Sequence, residues 1–163
     1  MTSDEFSVRQ AIIGDEPILR DLRLQAMSDS PAAFGSTYER ELARTTLDWQ
    51  RWLSPGVTFL LEHDGRSVGL VAGQADAIDA HVVHLMAMWV HPEVRGSGGA
   101  DALATALVRW AQAKGATSVC LEVIKTNVRA TRFYERHHFR PSGAETPRED
   151  DGRVEVRMQL TIG

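Results

Sequence analysis

Val90-His91-Pro92-Glu93-Val94-Arg95-Gly96-Ser97-Gly98-Gly99-Ala100 is the stretch on which the reading of this 163-residue chain turns. A β-rich apolar run, Val82 to Val90, leads into it and stops at Pro92, which has no N–H to give to a sheet ladder. Beyond the glycines, Leu103, Leu107, Trp110, Ala111 and Lys114 form a stripe of helical period closed by Gly115. Glycines carry no side chain, so consecutive backbone N–H groups can turn inward, and the following helix adds about half a positive charge at its N-terminus. Arg95 adds a full charge. Such a bend cradles an anion, and a pyrophosphate is its natural guest. The plainer reading is a strand-to-helix loop whose glycines avoid strain.

On the N-terminal side, Phe6 to Ile13 reads as a strand, broken by Gly14-Asp15 before a helical spacing of Ile18, Leu19, Leu22 and Ala26. Ser28 to Thr46 begins rich in Ser, Thr, Pro and Gly, then becomes an irregular helical excursion ending in Trp49, Trp52 and Leu53. Val57 to His63 and Ser67 to Asp76 flank Asp64-Gly65 as a hairpin, and Val82 to Val90 pairs with them antiparallel. On the C-terminal side, Ser118 to Ile124 is a buried strand. Asn127 opens a helix with Ala130, Phe133, Tyr134 and His137 on one side, and Arg140 to Ala144 with Val154 to Ile162 is a last strand pair. Glu145 to Arg153 reads as a solvated loop. The order strand, two helices, three strands, helix, strand, helix, two strands predicts a mixed α/β fold, one sheet with helices on both faces. The length suits one domain, 1–163.

Two glycine motifs fail against this sequence. A P-loop needs Gly-Lys followed by Ser or Thr, but Gly98 is followed by Gly99 and Ala100. A dinucleotide fingerprint needs a small residue at 101, where Asp101 stands, and a position early in a parallel sheet.

A third pattern matches both residues and order. Arg95, Gly96-Ser97, Gly98, Gly99, Ala100 resembles the acetyl-CoA signature of the Gcn5-related N-acetyltransferase (GNAT) superfamily: Gln or Arg, two residues, Gly, one residue, Gly or Ala. Met88-Trp89-Val90-His91-Pro92 stands where such proteins place their central strand. Asn127-Val128-Arg129-Ala130-Thr131-Arg132-Phe133-Tyr134-Glu135-Arg136-His137-His138-Phe139 resembles the superfamily's second motif. The strong match covers about residues 82 to 140. His138 departs from it, standing where Gly is usual at the helix exit, a position where positive φ would strain any other residue.

The resemblance implies an acyl-CoA N-acyltransferase-like fold: a mostly antiparallel central sheet, splayed around the cofactor beside a bulge in its central strand, with helices on both faces. It also implies acetyl-CoA as cosubstrate. Backbone groups of Met88 and Val90 would pair with the pantetheine arm, and N–H groups of Arg95, Gly96, Ser97, Gly98, Gly99 and Ala100 would hold the pyrophosphate. Asn127 and Tyr134 are two helical turns apart and share a face, so both can touch the same arm. Tyr134 is the candidate general acid for the departing thiolate, with core packing as its other reading, and Asn127 is a ligand contact, an N-cap or both. An acceptor ammonium must lose a proton before attack, and His84, at the start of the central strand, is the candidate base or else a structural histidine. Glu39, Glu41, Asp76 and Glu122 are further base candidates. Phe34 and Tyr38, with Trp49 and Trp52, lie on the excursion that lines the acceptor site in the superfamily, and core packing is their other reading.

Composition narrows the alternatives. Eighteen Lys plus Arg against 22 Asp plus Glu give a net charge of −4, the wrong sign for broad attraction to phosphate backbones, so no nucleic-acid partner is expected. No apolar run approaches a membrane span, and Met1 to Phe6 is not a secretion signal. Cys120, the only cysteine, fits a reducing cytoplasm, and its apolar neighbours favour packing over an acetyl-cysteine intermediate. The histidine spacings resemble no zinc site, so no metal is expected. Two readings of function stand. One is an N-acetyltransferase moving acetyl directly from thioester to a primary amine of a small molecule or peptide. The other is a non-catalytic acyl-CoA-binding or regulatory module. Dimerisation is common among proteins of this kind, which admits a homodimer.

Overall fold

Asp64 and Gly65, both at positive φ (50° and 72°), make the tight turn that joins β2 (Val57–His63) to β3 (Arg66–Ala75). Around this hairpin the computed structural model, which describes residues 5–149 and 151–163, builds one seven-stranded sheet in the order β1-β2-β3-β4-β5-β7-β6. The other strands are β1 (Phe6–Gln10), β4 (Val82–Val90), β5 (Ser118–Ile124), β6 (Arg140–Pro147) and β7 (Val154–Thr161). The helices are α1 (Glu16–Asp29), α2 (Tyr38–Leu42), α3 (Thr46–Arg51), α4 (Gly99–Ala113) and α5 (Val128–Arg136). All strand pairs are antiparallel except β4 with β5.

Side chains alternate across the sheet, so neighbours along a strand enter different cores. Leu61, Val83 and Leu85 pack with Leu103, Leu107 and Ala111 of α4, while Leu60, Leu70 and Trp89 pack with Leu19, Leu22 and Ala26 of α1 and Trp49 of α3. Leu103 and Leu107 are fully buried, each contributing about 1.5–3 kcal/mol, which is why the apolar stripe after the glycines is a helix. Directly paired residues share a face, so the α1–α3 side also carries Ala72 with Met86, Gln74 with His84, and Cys120 beside His84.

The feature that positions the site is a parting of strands. β4 and β5 pair only at Val82–Ser118, Val83–Val119 and His84–Cys120. Beyond His84, the β5-facing edge of β4 has no strand partner among the described residues. On its other edge, Leu70 faces Trp89 and Ala72 faces Met86, so Val71 alone spans Ala87 and Met88. This is a bulge, with Ala87 at φ 61°.

Several boundaries differ from the sequence expectation. β1 ends at Gln10 because the Asp15 carboxylate captures both the Ile12 amide (2.8 Å) and the Arg9 guanidinium (2.8 Å), turning Ile12 and Ile13 out to solvent. The excursion is a 3-10 turn (Pro31–Ala33) followed by two short helices, α2 and α3, each capped by a threonine, Thr37 and Thr45. β6 runs on to Pro147 through an irregularity with Gly143 at φ 92°, so the expected loop shrinks to a turn after Pro147. His138 adopts φ 71°, the strained geometry its position foreshadowed.

Candidate active site

Past the bulge, the end of β4, the glycine turn and the first turns of α5 converge on a cavity of about 500 Å³. Met88 and Val90 line it from β4, Arg95, Gly96, Gly98 and Ala100 from the turn, and Asn127 and Tyr134 from α5. Phe34 closes one side. The structure therefore gathers most of the residues expected from sequence.

The turn is built so that alternate amides stay free. Ser97 N–H donates to Val94 O (3.3 Å), the Ser97 hydroxyl also donates to Val94 O, and it accepts from Gly99 N–H (3.3 Å). Ser97 and Gly99 are thus committed within the turn and do not line the cavity. The N–H groups of Gly96, Gly98, Ala100 and Asp101 find no acceptor among the described residues. Gly98 caps α4 at φ 92°, a left-handed conformation that favours glycine, and a Cβ on Gly99 would come within 2.4 Å of Leu61 Cδ2. Free amides beside a helix N-terminus form an anion cradle.

Arg95 does not bring an unpaired charge to this cradle. Its guanidinium reaches Asp29 at the end of α1, and its Nε donates to Val90 O (3.2 Å). Asp29 also accepts from Trp89 Nε1 (3.0 Å). The Trp89, Ser30 and Arg95 hydrogen bonds lower the Asp29 pKa to about 2. Two cations missed at the level of sequence, Arg129 and Arg136, line the cavity instead. Their seven-residue spacing puts them on one face with each other, two residues on from Asn127 and Tyr134, and no local signal tied that face to the cavity. Asp101, also on the wall, is held 2.7 Å from His137 Nε2.

Asn127 Oδ1 accepts from Ala130 N–H (3.1 Å), so it is an N-cap and a cavity residue at once. Tyr134 packs edge-on against Phe133 and Phe139, and its hydroxyl makes no hydrogen bond to another described residue. Burial pushes its pKa up, so the phenol remains a proton donor through neutral pH.

His84 is not on the cavity wall. It stands at the last β4–β5 pair, on the α1–α3 face, with Nε2 2.7 Å from Asp76 Oδ1 and Nδ1 3.3 Å from Cys120 Sγ. With Asp76 ionised, Nε2 carries the hydrogen and Nδ1 faces the thiol. Burial raises the Cys120 pKa. Of the other base candidates, Glu41 is fully buried between Arg23 and Arg44, Glu122 pairs with Arg157 (2.8 Å), and Glu39 is exposed. Tyr38 lies in a separate shallow cleft beside Trp89 and His91, while Trp49 and Trp52 pack against each other. Among the described residues no cluster of His, Cys, Asp and Glu is arranged to hold a metal, and no helix is long and apolar enough to cross a membrane.

A sheet parted beside a bulge, with a glycine turn at the open end, defines the acyl-CoA N-acyltransferase-like class of fold. A model of the acetyltransferase (GNAT) family matches residues 22–139, and the chain belongs to that family. It is 32% identical over 129 residues to a mycothiol acetyltransferase of Thermobispora bispora, across 77% of this chain and 43% of that protein. The chain spans about half the length of the curated relatives it matches. Its fold is shared with a GNAT acetyltransferase of Streptococcus pneumoniae (TM-score 0.83, 22% identity, 98% and 100% of the two chains). It is also shared with yncA of Salmonella typhimurium, solved with its cofactor acetyl-CoA (TM-score 0.77, 18% identity, 98% and 95%).

Proposed function

We propose that the chain is an acetyl-CoA-dependent N-acetyltransferase that passes an acetyl group directly from the thioester to a primary amine of a small molecule or peptide. The observation that carries this reading is a juxtaposition: an unpaired strand edge at Met88–Val90, free amides at Gly96, Gly98, Ala100 and Asp101, and the Tyr134 side chain on one cavity. A linear ligand with amides at one end and a diphosphate at the other fits this set. The strand edge offers an amide arm the hydrogen bonds β5 does not supply there, and the turn offers an anion N–H groups with nothing else to bind. Arg129 and Arg136 add positive charge at the wall. When bound, acetyl-CoA supplies the activated acyl group.

The chain's own residues then have defined tasks. Backbone N–H groups around Met88 and Val90 hold the arm and are the donors available to charge building on an acyl oxygen. Tyr134 keeps its proton at neutral pH and delivers it to a departing thiolate. The only carboxylate on the cavity wall among the described residues, Asp101, is held by His137. A proton leaving the acceptor toward the α1–α3 face meets His84 where the strands part, its Nε2–H held by Asp76 and its Nδ1 lone pair facing the Cys120 thiol. The sole cysteine suits a reducing cytoplasm.

Thiol release from acetyl-CoA, followed against a panel of amines, amino acids and peptides, tests the reading. Turnover with at least one amine is expected. Tight coenzyme binding with no release for any acceptor would leave the non-catalytic acyl-CoA-binding module in its place.

A further inference from the structure

A second cavity, of about 400 Å³, lies outside the reading above. It opens between α3 and the sheet, with Arg44, Asp48, Arg51, Trp52, Gln74 and Met86 among its walls. Met86 and Gln74 lie on the α1–α3 face, the same side as His84. Met86 is two residues from Met88 across the bulge at Ala87, at most about 7 Å along the chain.

The charges around this pocket do not cancel. Glu41 accepts from Arg23 (3.1 Å) and Arg44 (2.7 Å), so one carboxylate serves two guanidinium groups. Arg23 is 5% exposed, and its Nε and Nη1 find no acceptor among the described residues. The trio, in which Arg23 and Glu41 are buried and Arg44 is partly exposed, thus holds one positive charge in excess, in a chain whose net charge is −4. Trp52 lies against both guanidinium groups, each 5.4 Å from its ring centroid, and presents an apolar wall to the pocket. Arg51 adds a cation at the rim, 4.0 Å from Asp48, whose carboxylate already accepts from the Thr45 amide (2.8 Å). Of the strand acids on this face, Asp76 is committed to His84 and to the Ile78 and Asp79 amides, Glu122 to Arg157, and Glu155 stands 3.8 Å from Arg148.

We infer that this pocket binds a carboxylate carried by the acceptor itself, with Arg44 as its contacting cation and Arg51 as a second. The inference rests on the acetyltransferase reading for the placement of the amine near Met88. An amine at Met88 and a carboxylate in the pocket beside Met86 are then within the reach of a dipeptide with a free C-terminus, since an extended chain spans about 3.3–3.6 Å per residue. Planar guanidinium groups suit a carboxylate through paired hydrogen bonds.

Calorimetric titration of the CoA-loaded protein with an N-acetylated dipeptide and with its C-terminal carboxamide tests this directly. The free acid is expected to bind at least about tenfold more tightly, with the difference shrinking as salt rises. Arg44→Gln should bring the ratio to within about twofold of one. Arg44 contacts buried Glu41, so Arg51→Gln, at a site 69% exposed, provides a variant with little bearing on folding and should lower the ratio about threefold. Equal affinity for acid and amide would overturn the inference, as would an aminoalkyl phosphate of the same reach binding more tightly than the dipeptide. Thiol release with amide peptides and no preference for the acid sinks this inference alone. Preference for the acid without thiol release from any amine supports the pocket and sinks the catalytic reading.

Discussion

Tyr134 faces the cavity from a site that is otherwise core, 8% exposed and packed between two phenylalanine rings. Burial holds the hydroxyl neutral, and no described neighbour takes its proton, which are the conditions for a donor kept in reserve. Tyr134→Phe keeps the packing and deletes the proton, so kcat should fall by about 10²–10⁴ while acetyl-CoA affinity stays within about threefold. Unchanged turnover in steady-state assays would remove Tyr134 from the chemistry. Asp29 offers a second test, of stability. Its pKa is lowered from 3.8 to about 2 by Trp89, Ser30 and Arg95, so the stability it contributes is present above pH 4 and is lost as pH falls toward 2. Asp29→Asn should therefore be less stable than the parent near pH 6, with the gap in denaturation midpoint closing between pH 4 and pH 2. A gap independent of pH would contradict the linkage. Sequence spacing revealed that Asn127 and Tyr134 share a face, because both lie on one helix. It could not reveal that Arg95 is neutralised by Asp29, since 66 residues separate the pair and only the docking of α1 joins them.

α4 and the turn before it were legible almost to the residue, since the apolar stripe, the glycines and the closing Gly115 are all local signals. The alternation of free and committed amides was not, because it depends on Ser97 folding back onto Val94. The bulge at Ala87-Met88 carries no residue signature either: alanine rarely adopts φ 61°, and the register of β3 imposes it. β6 extended past its expected end because pairing with β7, not local composition, decides where a strand stops. At the exit of α5, His138 at φ 71° is exposed and pays the cost of a left-handed backbone. His138→Gly should stabilise the protein by about 0.5–1.5 kcal/mol in chemical denaturation, the release of left-handed strain exceeding the entropy glycine adds to the unfolded chain. A destabilised variant would mean that the His138 side chain makes up for the strain.

Across the whole molecule, one topological fact organises the rest. β4 and β5 are parallel neighbours that pair over three residues and then part. The sheet therefore has an opening in its middle, with α4 and α5 on one side and α1 to α3 on the other. The cavity at the glycine turn lies along the opening, and the arginine-walled pocket lies on the α1–α3 side. The proposed direct transfer, with no covalent stop on the protein, requires donor and acceptor to approach each other from separate directions. The order of elements announced this sheet, but the depth of the parting is set by tertiary pairing and was not readable from local sequence. In the proposed function the turn grips a diphosphate through main-chain amides, and backbone amide NMR during titration with acetyl-CoA measures those groups one by one. The largest shifts are expected at Gly96, Gly98, Ala100 and Asp101, with Met88 and Val90 following at the same saturation. A saturable titration that leaves those amides unmoved, with its shifts clustered elsewhere, would show that the turn does not hold the coenzyme.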